Sequence, residues 1–251
     1  MGELSNQKIL IVGASSGIGK ATAIRLSKAG AKLVLIARSE DKLKEVIASC
    51  EGNGHQYFVI DVKDEKSIDE AITKSAKEIE EPFTGFVYSA GQEGTIPLKF
   101  AKSDFLTDIL QVNTIPALLI TKVLQKKGNF SSEGGSVVFI SSVMGSLGQP
   151  AKAAYCMSKG GLVAASKALA LELASKRIRV NCISPGMVTT EMSSKILDSV
   201  SEDSAKEIKR MHPLGIGDVE DVVNGIEFLV SNKSKWITGI DLLIDGGYSA
   251  Q

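Results

Sequence analysis

Residues that commonly bind metals or form disulfides are scarce: three cysteines and two histidines in 251 residues. Cys50, Cys156 and Cys182 form no CxxC pair, which argues against a disulfide framework or a zinc site and fits a reducing compartment. No metal is expected. His55, ahead of an apolar strand, reads as structural, and His212, followed by Pro213, reads as loop. Lys plus Arg equal Asp plus Glu at 29 each, so no overall field draws the chain to nucleic acid or an anionic membrane. Any charge recognition is local. No apolar run approaches the roughly 20 residues of a membrane helix, and Met1–Lys8 lacks the apolar region of a secretory signal. These absences lead us to expect a cytoplasmic protein.

What is present is a hydrophobic fraction of 43% in 26.6 kDa, enough for one substantial core and one domain over residues 1–251. Short β-branched apolar runs (Ile9–Val12, Leu33–Ile36, Tyr57–Ile60, Gly85–Tyr88, Val137–Ile140, Val180–Ile183, Leu242–Ile244) alternate with longer amphipathic stretches. Continuous apolar runs belong to strands covered on both faces, so the pattern predicts an α/β fold with a seven-stranded parallel sheet. Helices are expected at Lys20–Lys28, stopped by Gly30, and at Asp64–Glu80, Asp104–Lys126, Ala153–Ser175 and Val219–Val230. The polar stretch Thr189–His212, with Met187, Met192 and Met211 interleaved, departs from this rhythm. We read residues 187–212 as a mobile substrate lid, with a plain surface insertion as the alternative.

Directly after the first strand comes Gly13-Ala14-Ser15-Ser16-Gly17-Ile18-Gly19, which then opens a helix. Glycines there allow a tight turn and close backbone approach to a pyrophosphate, and the helix N-terminus offers unpaired N–H donors. The strand–loop–helix context makes this a dinucleotide site of a doubly wound Rossmann-type fold. With three residues between its first two glycines, the segment resembles the glycine motif of short-chain dehydrogenases/reductases, a likeness that covers nearly the whole chain. Val12 stands where that family usually has Thr.

An acidic residue at the end of the second strand would accept hydrogen bonds from a ribose 2′-hydroxyl. Position 37 is instead Ala, and Arg38 follows, suited to pairing with a 2′-phosphate; the expected cofactor is therefore NADP(H), with Ser15 and Ser39 as further hydroxyl donors. Arg38 as a mere cap on a solvated strand end is the alternative. The resemblance implies adenine contacts for Asp61 and Val62. It implies backbone approach to the nicotinamide ribose at Ala90 and Gly91, and nicotinamide-side contacts for Pro185, Gly186, Val188 and Thr190. Tyr88-Ser89 replaces the family's Asn-Asn, which removes its usual polar bracing there.

Tyr155 and Lys159 lie four apart on an expected helix, so both project from one face, where an ammonium would lower the phenol's pKa and let it exchange a proton with a substrate oxygen. Ser142 precedes Tyr155 by thirteen residues, the family's Ser–Tyr spacing, and is implied to hold the reacting oxygen, with Ser141 as its rival. Asn113 matches the family's helix Asn, implied to hold a water that links Lys159 to solvent. Cys156 reads as a packing residue facing away.

The function so implied is carbonyl reduction by hydride transfer from NADPH, and the pattern is most like 3-oxoacyl-[acyl-carrier-protein] reductases. Sugar, polyol and hydroxysteroid dehydrogenases are alternatives, as is a catalytically silent NADP-binding regulator. An acidic carrier would need a basic patch near the site. Lys126, Lys127, Lys176 and Arg177 are candidates, although Gly128–Gly135 has no basic residue and Glu93 adds an acid. The resemblance also implies a homotetramer, with a dimer second, packed through the helices of Asn113 and Tyr155, where Ala164, Ala165 and Ala168 permit close approach.

Overall fold

The computed structural model describes residues 2–78, 81–199 and 201–250. All seven apolar runs are strands: β1 (Lys8–Val12), β2 (Lys32–Ala37), β3 (Gln56–Val59), β4 (Gly85–Tyr88), β5 (Gly135–Ile140), β6 (Ile178–Pro185) and β7 (Asp241–Ile244). They pair in parallel in the order β3-β2-β1-β4-β5-β6-β7. The helices are α1 (Gly17–Lys28), α2 (Glu40–Ser49), α3 (Glu65–Glu78), α4 (Ser103–Asn113), α5 (Ile115–Leu124), α6 (Ala153–Leu173), α7 (Glu191–Ser199), α8 (Glu202–Arg210) and α9 (Val219–Val230).

Successive strand residues point to opposite faces of the sheet, and the core divides accordingly. Leu10 and Val12 of β1 pack into the layer of α3, α5 and α6 with Ile72, Ile120 and Leu162. Ile9 and Ile11 pack into the layer of α1, α2 and α9 with Leu26, Val46 and Ile226. Both faces are covered, which is why these strands read as unbroken apolar runs. The chain winds outward from β1 to β3, then returns to β4 on the other side of β1. That reversal opens a crevice at the carboxyl ends of β1 and β4.

The expected single helix Asp104–Lys126 is instead two helices, α4 and α5, meeting at Thr114 (φ −130°, ψ −57°). Pro116 is the cause: it has no N–H to give the carbonyl of Val112, one turn back, and its ring crowds that position. The released carbonyl accepts a hydrogen bond from the Tyr88 hydroxyl, which restores a polar brace where the family's Asn is missing. The 187–212 stretch is a helix pair, α7 and α8. Its ends are tied, Thr189 N–H to the Gly217 carbonyl at 2.9 Å and Met187 N–H to His212 Nε2 at 3.0 Å. The expected helix end at Glu80, Val200 of the lid stretch and the terminal Met1 and Gln251 lie outside the described residues. Among the described residues no helix is long and apolar enough to cross a membrane.

Candidate active site

The glycine loop is shaped by contact with its neighbours. Gly13 has φ +85°, and a Cβ there would collide with the backbone of Ala90 just past β4; one on Gly19 would collide with the Gly13 carbonyl. The β1 turn, the β4 turn and α1 therefore meet backbone to backbone. Ser16 is the N-cap of α1 and its side chain makes no capping bond, so the first-turn N–H groups keep their donors. They open on a cleft of about 590 Å³ across the carboxyl ends of the central strands.

Gly13, Ser15, Ser16, Gly17 and Ile18 line that cleft, and Gly19 is buried behind the turn. Ala37, Arg38, Asp61 and Val62 line it farther along. Arg38 is exposed and makes no hydrogen bond or ion pair among the described residues. Ser39 falls outside the lining and is the N-cap of α2. Ala90, Gly91, Pro185, Gly186, Val188 and Thr190 border the opposite end, as does Lys159.

The catalytic candidates converge on this end. Ser142, past β5, and Tyr155, in the first turn of α6, line the same end of the cleft, close enough for the serine hydroxyl to act on the phenol. Ser142 also accepts the Met144 N–H at 3.2 Å. Ser141, its rival, donates its buried hydroxyl to the Lys159 carbonyl at 2.9 Å. The Lys159 ammonium donates to the Ile140 carbonyl at 2.8 Å and lies 5.9 Å from the centre of the Tyr155 ring. Asn113 is fully buried at the end of α4, off the cleft wall. Its amide bonds the Gln92 carbonyl and Ser158 Oγ, both at 3.0 Å, and its oxygen accepts the Gln92 N–H at 2.8 Å, pinning the loop after β4 to α6. The Cys156 thiol points to the Leu147 carbonyl.

The electrostatics differ from expectation. Burial pushes the Tyr155 phenol up to about 12; the Ser142 hydroxyl opposes this and the nearby Glu93 carboxylate adds to it. The same desolvation takes Lys159 down to about 8, so removal from water sets the direction of both shifts.

Several wall residues escaped the sequence reading. Lys152, three before Tyr155 and thus on its helix face, pairs with Glu93. Met144, Met192, Ile208 and Met211 form an apolar side. His212, read as loop, is buried in it: its ring bonds the Ile208 carbonyl at 2.7 Å and lies 4.8 Å from the Tyr248 ring. The cations considered for carrier docking sit at the wrong edge of the sheet, by the starts of β5 and β6. Lys126 is paired with Asp69 at 2.5 Å and Arg177 with Glu133 at 3.6 Å.

A family profile described as Enoyl-(Acyl carrier protein) reductase matches residues 13–249. The chain belongs to the short-chain dehydrogenase/reductase family, a family of oxidoreductases. It is 32% identical over 253 residues to a 3-oxoacyl-[acyl-carrier-protein] reductase of Rickettsia bellii, covering 98% of each chain. It is 34% identical over 256 residues to a 2,5-dichloro-2,5-cyclohexadiene-1,4-diol dehydrogenase of Sphingobium indicum, covering 98% of this chain and 97% of that one. The structure of a short-chain type dehydrogenase/reductase from Mycobacterium ulcerans superposes with a TM-score of 0.90 at 27% identity, covering 99% of this chain and 91% of that one.

Proposed function

We propose that the chain reduces a ketone to a secondary alcohol with NADPH, Tyr155 donating the proton. The observation that carries this is the convergence of Ser142, Tyr155 and the buried Lys159 at one end of a cleft that also holds Arg38 without an ion-pair partner among the described residues. The cleft fits the cofactor: an acid-free strand end at Ala37, a free guanidinium at Arg38 and uncapped helix donors at Ser16–Gly19 all favour phosphate. The first turn of α1 would hold the pyrophosphate, and Arg38 with Ser15 the 2′-phosphate. Asp61 and Val62 would border the adenine, while Ala90, Gly91, Pro185, Gly186, Val188 and Thr190 would seat the nicotinamide half.

NADPH, when bound, supplies the hydride that the carbonyl carbon takes up. Tyr155 gives its phenolic proton to the carbonyl oxygen, and Ser142 donates a hydrogen bond to that oxygen as charge develops on it. Lys159, freed from the Ile140 carbonyl, would bind the ribose and stabilise the phenolate left behind. Asn113 holds the loop of Gln92 in place and would keep the water through which the tyrosine regains a proton. Helices α7 and α8 would act as the substrate lid, since they close the apolar side. The chain would work as a cytoplasmic homotetramer. The outward-facing Ile115, Leu118, Ala164, Met157 and Ala168 on α5 and α6, and Trp236 and Leu243 near β7, supply two apolar faces for assembly.

The test is Tyr155→Phe, which keeps the ring's packing and removes the transferable proton. NADPH binding should stay near normal while turnover of a carbonyl panel drops on the order of a hundredfold or more. Turnover equal to the unmodified enzyme would sink the assignment.

A further inference from the structure

One charged pair on the cleft wall has no part in the chemistry described above. Lys152, at the N-cap of α6, and Glu93, in the loop after β4, form an ion pair with side chains only 13% and 27% exposed. The pair borders the reacting end: the Lys152 ammonium is 5.7 Å from the centre of the Tyr155 ring. An ion pair so little exposed adds little net stability, because taking both charges from water offsets their attraction, so folding alone gives weak reason for it. Thr95 donates to the same carboxylate oxygen, Oε1, that meets Lys152. Oε2 has no hydrogen bond among the described residues, and the ammonium has donors to spare. The wall thus offers a ready acceptor and a ready donor side by side, in a cleft that Met144, Met192 and Met211 also line.

We propose that Glu93 and Lys152 form a specificity subsite for a hydroxyl group carried next to the reacting carbon, so that hydroxyketones and diols are favoured over ketones without that hydroxyl. This rests on the reductase reading given above. A hydroxyl is the group that satisfies both partners at once, donating to the carboxylate and accepting from the ammonium. A second carbonyl accepts only and leaves Glu93 unmet, and a substrate carboxylate is repelled by Glu93 as it approaches Lys152. The methionine side takes the apolar ring or chain of the same molecule.

The experiment compares kcat/KM with NADPH for a cyclic α-hydroxyketone and for the matching ketone lacking the hydroxyl. The proteins are the unmodified enzyme, Glu93→Gln and the double variant Glu93→Met/Lys152→Met. The double variant replaces the pair with apolar side chains of similar length, a change that cores usually tolerate. Melting followed by circular dichroism verifies that each variant is folded. The unmodified enzyme should favour the hydroxyketone by about ten- to a hundredfold, as a charge-assisted hydrogen bond allows. In the double variant the ratio should collapse toward one, with Glu93→Gln between. Equal efficiencies in the unmodified enzyme, or a ratio preserved in the double variant, would overturn the subsite and leave the reductase reading standing. No turnover of any carbonyl would overturn both.

Discussion

Burial moves Tyr155 and Lys159 in opposite directions, to about 12 and about 8, and this decides which of them titrates first as the solution turns alkaline. The phenol stays protonated throughout the neutral range, ready to donate. The ammonium is present below about 8 and lost above it. Reductive kcat/KM should therefore be level near neutrality and fall as pH rises through about 8, a limb that belongs to the lysine. A pH–rate profile with no descent until near the tyrosine's value would show that the Lys159 charge is not needed. Arg38 permits a separate prediction. Removing one charge-assisted hydrogen bond costs roughly 1.5 to 3 kcal/mol, so Arg38→Ala should weaken NADPH binding by about ten- to a hundredfold while NADH binding barely changes. Dissociation constants from cofactor fluorescence would check it, and an NADPH affinity indifferent to Arg38 would place the phosphate elsewhere.

At the scale of elements, the α4–α5 break is the instructive case. The apolar period runs straight through Leu110, Val112, Ile115 and Leu118, so it reads as one helix. The interruption comes from a single missing N–H at Pro116. Its repair comes from Tyr88 on a strand, a partner that periodicity does not reveal. In Tyr88→Phe the half-buried Val112 carbonyl loses that partner, at a cost of about 1 kcal/mol. Urea unfolding should show a lower midpoint with an unchanged slope. An unaltered midpoint would mean that the brace contributes nothing. By contrast β4 and α9 were legible to the residue, because each is bounded by polar or glycine positions and has no such conflict inside it.

For the whole molecule, the sheet and the glycine loop were readable because each rests on neighbours in sequence: a run, a turn, a helix start. The Ser142–Tyr155–Lys159 cluster became readable through a spacing shared with a family. The Glu93–Lys152 pair and the His212 contacts join residues far apart in the chain, and isolated charges or a lone histidine carry no mark of such partners. The same distance governs how the sheet comes together. Lys8 and Thr84 hydrogen-bond across 76 positions, where β1 meets β4. The β1–α1–β2 unit can organise locally, whereas the seam with β4 must wait for a long loop to close. Until it does, one edge of a strand buried along its whole length lies open, a bare template for another chain, and only the arrival of β4 turns that liability into the crevice where the cofactor would lie.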